Sequence, residues 1–426
     1  MKYFNPANLA IIACPGGDVF ADEVIDHLRS KYRSSRNKTE EKLSKKYNIS
    51  PEQASLHIDL MNRIAIRGTD TRSGNDKNQN DSFKVPVKFT LFPNGEIKSE
   101  ILESIRGKDV YIFQDVENHY PVKFYGDQIV SNLSLNDHLM TIFVTVDAVR
   151  LAGAERITLV IPNYPYSRQH KAKGREGLTA SRIGKIFESL GIDTIITLDI
   201  HSRDIMNAFD KLRLENLHAS YQIIQTLTRM EEVLLDEDFV VVSPDTGAVD
   251  RNKFYASALK RPLALLYKER DYSKIAKDAS HSNISQIRLL GCVKDKTVFM
   301  ADDLLGTGGT LIKGMKHLKE KGARKIICAI SLPLFSGDAV AHFDEAYKEG
   351  LFYRIIGTNA VYQEEVINRE WYVNVNITKL FAHVISRLHQ NQSVSNLLDN
   401  AAIINRLITR TVITEQQNEL PFPDNC

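Results

Sequence analysis

The chain has 426 residues, 43% hydrophobic and 25% charged, an ordinary globular mix long enough for two substantial cores and an extra segment. Fifty-five Lys and Arg against 53 Asp and Glu leave a net charge of +2, so no strong field points to nucleic acid or to a membrane surface. No apolar run approaches the ~20 residues of a spanning helix. The four scattered cysteines, Cys14, Cys292, Cys328 and Cys426, form no CxxC pair and no framework, which fits a reducing, cytoplasmic interior.

In chain order, Asn8 to Cys14 reads as a buried strand, too short for a signal-peptide core, and it runs into the turn Pro15-Gly16-Gly17. A helix follows from about Ala21 to Leu28. Residues 29 to 48 are rich in Lys, Arg and Ser around Glu40-Glu41 and read as solvated helix. Arg67 to Ser82 has no aliphatic or aromatic residue, cannot offset ordering entropy by burial, and reads as a mobile loop. Order resumes at Phe83. Arg156 to Ile161 is a strand ending at Pro162, Thr179 to Leu190 a helix stopped by Gly191, and Asp193 to Asp199 another strand. A helix from Ala219 to Leu234 leads to the strand Phe239–Ser243. After a further helix comes Leu263–Tyr267, then Lys296–Ala301 before a helix from about Thr310 to Lys321. Lys325 to Ser331, Tyr353 to Gly357 and Trp371 to Val375 complete the strands. Strands alternating with amphipathic helices predict an α/β fold with mainly parallel sheets, in which ligands bind beyond the carboxyl ends of the strands.

At one such end stands Asp302-Asp303-Leu-Leu-Gly306-Thr307-Gly308-Gly309-Thr310, followed by a helix. A Thr-Gly-Gly-Thr turn at a helix N-terminus presents backbone N–H groups and hydroxyls, a cradle for a phosphate ester. The adjacent carboxylates suit sugar hydroxyls or a hydrated Mg²⁺. No Walker A, GxGxxG or HExxH motif is present.

This stretch resembles the 5-phosphoribosyl-1-pyrophosphate (PRPP) loop of type I phosphoribosyltransferases. Further motifs narrow the resemblance to the ribose-phosphate pyrophosphokinase family. Phe92-Pro-Asn-Gly-Glu96 is similar to its adenine loop and Arg106-Gly-Lys-Asp-Val-Tyr-Ile112 to the strand after it. Pro165-Tyr-Ser-Arg-Gln169, Leu198-Asp-Ile-His201, Val242-Ser-Pro-Asp245 and Lys268-Glu-Arg270 match further segments in the same order, and Phe335-Ser-Gly337 and Ser393-Val-Ser395 follow.

The resemblance implies two similar phosphoribosyltransferase-like domains: 1–215, with an insertion at about 31–82, and 216–400, which carries the PRPP loop. Residues 401–426 are an extra tail. The implied reaction moves the β,γ-pyrophosphoryl group of ATP to the 1-hydroxyl of ribose 5-phosphate, giving PRPP and AMP, with Mg²⁺ as cofactor. By the same resemblance Phe92, Asn94, Glu96, Arg168, Gln169 and His201 contact ATP. Asp245, Asp302, Asp303, Gly306, Thr307, Gly308, Gly309 and Thr310 hold ribose 5-phosphate or PRPP, His201 and Asp245 hold metal, and Lys268 and Arg270 are catalytic. Taken alone, Phe92 reads as core, Arg168 as a surface ion-pair partner, and Lys268 and Arg270 as surface charges. Lys268 and Arg270, two apart on an extended segment, share a face. They begin a segment, Asp271 to Gln286, too polar to pack tightly and expected to be a loop that closes over phosphates.

Three departures stand out. Gly306 replaces the usual Asp of the PRPP loop, His170 a common acid, and Arg203 a common serine. Gly306 leaves room for a second reading, a non-catalytic regulatory homologue that associates with an active synthetase. A phosphoribosyltransferase would also use the Asp302–Thr310 loop, but would leave the Phe92, Arg168 and Lys268 motifs without a task. The family resemblance further implies a homo-oligomer of dimers building up to a hexamer, with no nucleic-acid or membrane partner.

Overall fold

The computed structural model describes residues 6–65, 83–126, 128–172, 174–230, 238–270, 284–398 and 403–408. The expected loop Arg67–Ser82, most of the expected tail and residues 271–283 of the expected closing loop lie outside these.

The described chain forms two compact units. The first comprises the residues up to Leu217 together with Ala360–Tyr362 and Thr378–Leu397; the second comprises the rest. Its elements are β1 (Leu9–Ala13), α1 (Asp18–Tyr47), α2 (Pro51–Ala65), the hairpin β2 (Val87–Leu91) and β3 (Ile97–Ile101), β4 (Asp109–Phe113), and the short pair β5 (Val122–Lys123) and β6 (Ile129–Val130). Then come α3 (Leu135–Leu151), β7 (Arg156–Val160), α4 (Thr179–Ser189), β8 (Thr194–Leu198) and β9 (Arg213–Leu217). Strands β1-β4-β7-β8-β9 make one parallel sheet whose spatial order follows the chain. Every residue of β1, β4 and β8 is buried, as expected of parallel strands covered on both faces.

The basic stretch after Leu28 is not a separate helix. It continues α1 for 30 residues, to a cap at Asn48, which takes the left-handed conformation (φ 50°). The first half buries Phe20, Ala21, Val24, Ile25, Leu28 and Tyr32 at helical spacing. The second half projects Arg36 toward α2. Its guanidinium donates to Asp59 (2.7 Å), Ser55 (2.6 Å), Glu40 (3.0 Å) and the Tyr32 hydroxyl (3.2 Å). An apparently solvated run is thus the anchor of a second helix.

The second unit contains α5 (Ser220–Arg229), β10 (Phe239–Ser243), α6 (Val249–Leu259), β11 (Leu263–Arg270), β12 (Ile284–Leu290), β13 (Thr297–Leu305) and α7 (Gly309–Glu320). After these come β14 (Lys325–Pro333), α8 (Ala339–Lys348), β15 (Arg354–Thr358) and β16 (Tyr372–Val375). The seven-stranded sheet runs β12-β11-β10-β13-β14-β15-β16, parallel except for β12. From β10 the chain builds outward through β11 and β12, then returns to place β13 on the other side of β10. That reversal is the topological switch point where a crevice opens at the carboxyl ends of an open α/β sheet.

Three sequence expectations change. The division falls at Leu217 rather than 215, and residues 216–400 are not one unit. Helix α9 (Thr378–His389) belongs with the first unit because its apolar face (Leu380, Phe381, Val384 and Ile385) needs cover that α1 supplies. The Phe20 and Phe381 rings meet edge-on at 5.0 Å, and Thr378 donates to Glu23. The polar segment expected from Asp271 to Gln286 is strand from Ile284 onward. Lys268 lies opposite Ile287 and Arg270 opposite Ile284, with a register shift between Glu269 and Arg270.

Candidate active site

At the carboxyl edge of the second unit's sheet, β13 does not end at Ala301 as its apolar run suggests. The partner strand β14 extends to Pro333, so Asp302, Leu304 and Leu305 stay in register with Ile330, Leu332 and Pro333. Asp302 and Asp303 therefore sit within the strand, beyond the last residue paired with β10. Burial pushes the Asp302 carboxyl far above the usual carboxylate range, with the adjacent Asp303 and then Asp245 adding to it; Arg251 opposes them. Asp303 is itself buried, and its N–H donates to Asp302 Oδ1 at 2.9 Å.

Asp245 follows β10, on the other side of the switch point. Its Oδ1 accepts from the N–H groups of Gly247 (2.9 Å) and Ala248 (3.0 Å), and its carbonyl accepts from the Ser243 hydroxyl. These bonds fix the carboxylate at the entry to α6. Asn252, fully buried one turn into α6, joins the two acidic strand ends. Its Nδ2 donates to the Ala248 and Ala301 carbonyls, both at 2.8 Å, and its Oδ1 accepts from Ala301 N–H at 2.9 Å. Asn252 and Arg251 were missed in the sequence. The only trace Asn252 left there was a polar residue at a helical position that proves buried.

Beyond Leu305 the turn Gly306-Thr307-Gly308 is short, and α7 begins at Gly309, one residue before the expected start. Gly308 is left-handed at φ 72°, and a Cβ there would fall 2.3 Å from Phe343. Both conditions demand glycine. Thr307, Gly309 and Thr310 are exposed at a helix N-terminus with no side-chain cap, so the turn offers unshielded backbone donors for an anion.

The first unit carries the other expected residues on three loops: the tip of the separate β2–β3 hairpin, and the loops after β7 and β8 at the carboxyl edge of the five-stranded sheet. Phe92, 41% exposed, tips the β2–β3 hairpin rather than entering a core. The turn closes by Phe92 N–H to Glu96 O (2.8 Å) and Gly95 N–H to Phe92 O (2.9 Å), with Gly95 at φ 90°. Asn94 Oδ1 accepts from Glu96 N–H, so Asn94 shapes the turn; Asn94 and Glu96 are both exposed. Arg168 and Gln169 are exposed on the loop after β7, where Tyr166 is left-handed (φ 56°) and Gln169 N–H donates to Tyr166 O. Behind Arg168 lies Glu117, raised above the usual range chiefly by burial and opposed by the Arg168 charge; it accepts from Asn163 at 2.9 Å. His201 is exposed just past β8, where Asp199 takes φ 42° and turns the chain so that Ile200 is buried and His201 is not. Its ring centre is 5.2 Å from that of His170.

The structure brings Asp245, Asp302, Asp303 and the Gly306–Thr310 turn together in one unit, and Arg168, Gln169 and His201 at neighbouring strand ends in the other. Lys268 and Arg270 end β11, a neighbour of β10 in the sheet. Among the described residues no group of three or more His, Cys, Asp or Glu side chains could hold a metal ion by itself. Among them, too, no helix is long and apolar enough to cross a membrane.

Family models match in two places: the N-terminal domain of ribose phosphate pyrophosphokinase at residues 78–191, and a phosphoribosyl transferase domain at residues 213–358. The ribose-phosphate pyrophosphokinase of Nostoc sp. is 33% identical over 314 residues, 73% of this chain and 86% of that protein. Ribose-phosphate pyrophosphokinase A of Dictyostelium discoideum is 33% identical over 310 residues, 72% and 88% of the two chains. The crystal structure of phosphoribosylpyrophosphate synthetase from Mycobacterium smegmatis superposes with a TM-score of 0.65 at 25% identity, over 90% of this chain and 99% of that one. With two matching domains in order, relatives that agree in name and a shared architecture, this chain belongs to the ribose-phosphate pyrophosphokinase family.

Proposed function

We propose that the protein transfers the β,γ-pyrophosphoryl group of ATP to the 1-hydroxyl of ribose 5-phosphate, releasing AMP and PRPP. The observation that carries this reading is the switch point between β10 and β13, where Asp245, Asp302 and Asp303 stand beside an uncapped helix N-terminus reached through Gly308. A sugar phosphate fits that pattern. Backbone N–H groups of the Gly306–Thr310 turn take the 5-phosphate, and the Asp302–Asp303 carboxylates accept from the ribose hydroxyls.

Family membership supports the roles of the remaining residues. Phe92 stacks on adenine from its hairpin, Asn94 and Glu96 address the base edge, and Arg168 with Gln169 and His201 holds the nucleotide. The ribose 1-oxygen attacks the β-phosphorus, and the bond from that phosphorus to the α-phosphate oxygen breaks in line. Lys268 and Arg270 neutralise charge that develops on the transferring group.

The acidic crevice fits Mg²⁺. Its donors are hard carboxylate oxygens, and the repulsion from Asp303 and Asp245, which adds to the burial that raises Asp302, is relieved by a divalent cation. Asp245 would hold one ion there, and His201, in the first unit, would contact another carried on the nucleotide; when bound, the metal screens the polyphosphate and makes the β-phosphorus more electrophilic. We further assign the protein to a cytoplasmic, dimer-based homo-oligomer as in the resembled family.

The decisive assay is incubation with ATP, Mg²⁺ and ribose 5-phosphate with product identification. AMP and PRPP in equal amounts are expected. PRPP consumed rather than formed would favour a phosphoribosyltransferase. No turnover alone, with activation of an added synthetase, would restore the regulatory reading of Gly306.

A further inference from the structure

Strand β13 loses a partner on one side before it reaches the acids. Its register with β10 ends at Phe299, opposite Val241, whereas its register with β14 continues to Leu305. Strand β10 itself goes on to Ser243, paired there with β11. Thr297 N–H donates to Asp238 O, so alternate residues of β13 from Thr297 turn their backbone groups toward β10. Ala301 follows Phe299 in that series. It is buried, so its N–H and carbonyl both need partners on this side.

Asn252 supplies both. Its Oδ1 accepts from Ala301 N–H at 2.9 Å, and its Nδ2 donates to Ala301 O at 2.8 Å. One side-chain amide thus meets Ala301 as the peptide groups of a neighbouring strand would. The remaining Nδ2 hydrogen goes to the carbonyl of Ala248, the residue that caps α6, also at 2.8 Å. Two acceptors and one donor converge on a fully buried side chain. A carboxylate has no hydrogen to give them and an aliphatic group has neither function.

The same bonds reach the acids on both strands. Ala248 N–H donates to Asp245 Oδ1, and Ala301 directly precedes Asp302, whose Oδ1 takes the Asp303 N–H. Strand β14 holds β13 along its other edge, so the strand itself does not depend on Asn252. What depends on it is where the end of β13 lies on the side facing β10.

We propose that Asn252 is a positioning residue for the reaction. It completes the hydrogen bonding of β13 in place of β10 and so sets where Asp302 and Asp303 present their carboxylates to the ribose hydroxyls. It acts through Ala301 and not on the substrate. This rests on the ribose 5-phosphate role proposed above for those two acids.

The test compares the full chain with Asn252→Leu, which keeps the volume and removes the bonds, and with Asn252→Asp, which keeps the acceptor and loses the donor. Ribose 5-phosphate and ATP are titrated separately by calorimetry, and amide exchange is followed at Ala301. In both variants the Kd for ribose 5-phosphate should rise roughly tenfold or more, as displacement of preorganised groups by about 1 Å entails. The Kd for ATP should stay within about twofold, because the residues proposed for the nucleotide stand in the first unit. Ala301 N–H should exchange slowly in wild type and in Asn252→Asp, and faster in Asn252→Leu. Unchanged ribose 5-phosphate affinity in a folded variant, equal losses for both ligands, or an Ala301 N–H that exchanges in wild type as fast as the exposed Thr307 would overturn the inference. So would failure of both variants to fold, which would make Asn252 a support of the core and not of the site. The product assay separates this from the proposed function. PRPP formation by wild type with variants that bind ribose 5-phosphate normally defeats the positioning role alone. A selective loss of ribose 5-phosphate in the variants, with no PRPP formed by wild type, defeats the activity alone.

Discussion

The two sheets solve the same problem in opposite ways. In the second unit the strand order reverses at the paired strands β10 and β13, and the acids that follow them are buried or tied down: Asp302, Asp303 and Asp245. The first unit's sheet runs β1-β4-β7-β8-β9 without a reversal, so its strand order marks no such switch point. Its candidate residues reach outward from loops instead, and Phe92, Arg168, Gln169 and His201 are all exposed. A buried acidic crevice can hold a small, highly hydroxylated phosphate through preorganised groups. Exposed loops suit a larger ligand whose flat base and polyphosphate are gripped from outside. The division predicts that mutations in the second unit act on turnover and those in the first act on nucleotide affinity.

The largest effect tests the second unit. Lys268→Ala should lower kcat by roughly 10²-fold or more, the scale of losing one preorganised charge donor, while ATP affinity changes far less. Arg270→Ala should behave alike, and the double variant should lose less than the product of the two. Steady-state kinetics with direct nucleotide-binding measurements decide it. If Lys268→Ala keeps its turnover but fails to bind ATP, the division of labour between the sheets is wrong.

Next comes a control at the far end of the first sheet. Asp109 begins β4 and Arg156 begins β7, at the amino ends of their strands, where no ligand is expected. Burial raises the Asp109 carboxyl, but hydrogen bonds from Arg156 and His389 and their charges outweigh it and hold it below the usual value. Arg156 Nε donates at 2.8 Å, and His389 Nδ1 lies 2.8 Å from Oδ2. A depressed folded pKa stabilises above the unfolded carboxylate value, about 3.9, and that contribution is lost as pH falls through the folded value. Asp109→Asn should cost about 2 kcal/mol at neutral pH, below the range for fully buried pairs because Arg156 is partly exposed. Denaturant midpoints of wild type and variant should converge below about pH 3 while kcat at pH 7 stays the same. A fall in kcat would mean that the amino ends of the strands communicate with the chemistry.

Smaller still is the effect at the hairpin tip. Phe92→Ala should raise the KM for ATP about tenfold, the scale of one base–aromatic stack, with kcat within a few-fold. Titration of ATP at saturating ribose 5-phosphate checks it. A drop in kcat with KM unchanged would move Phe92 from binding to chemistry.

What the sequence disclosed follows the same physics. Buried parallel strands are near-continuous apolar runs, so β1, β7, β8, β10, β13 and β14 were legible. Helix α3 was not, because Thr141 and Thr145 occupy buried positions on it and satisfy their hydroxyls on carbonyls one turn back, which breaks the apolar period. Strand β12 reads ISQIRLL and owes its place to pairing with β11. The phosphate turn was legible because its chemistry is local: glycines and threonines before a helix. The role of Asn252 was not, since it arises from the register that brings Ala248 and Ala301 within reach of one amide. Asp302 was placed beyond the strand because the length of β13 is set by β14, not by its own residues.

The smallest expected effect on activity lies in the helical pair α1–α2, which stands apart from both sheet edges in the argument above. Arg36 is the hub. Its hydrogen bonds, led by that to Asp59, raise it above the ordinary arginine value, and its side chain is only 20% exposed. Arg36→Ala removes those bonds but leaves no stranded charge in a dry site, since Asp59 is 36% exposed and can hydrate. The apolar contacts of Ala54 and Ile58 remain. The loss should therefore be about 1–2 kcal/mol, between an exposed ion pair and a buried charged hydrogen bond. It should be local, with faster amide exchange in α2 and β4 unaffected. Turnover and the KM for ATP should stay within about twofold, because none of the partners of Arg36 is a candidate site residue. A tenfold loss of activity with α2 visibly loosened would show that the pair supports one of the two edges, and the contrast between them would then have to include this helix.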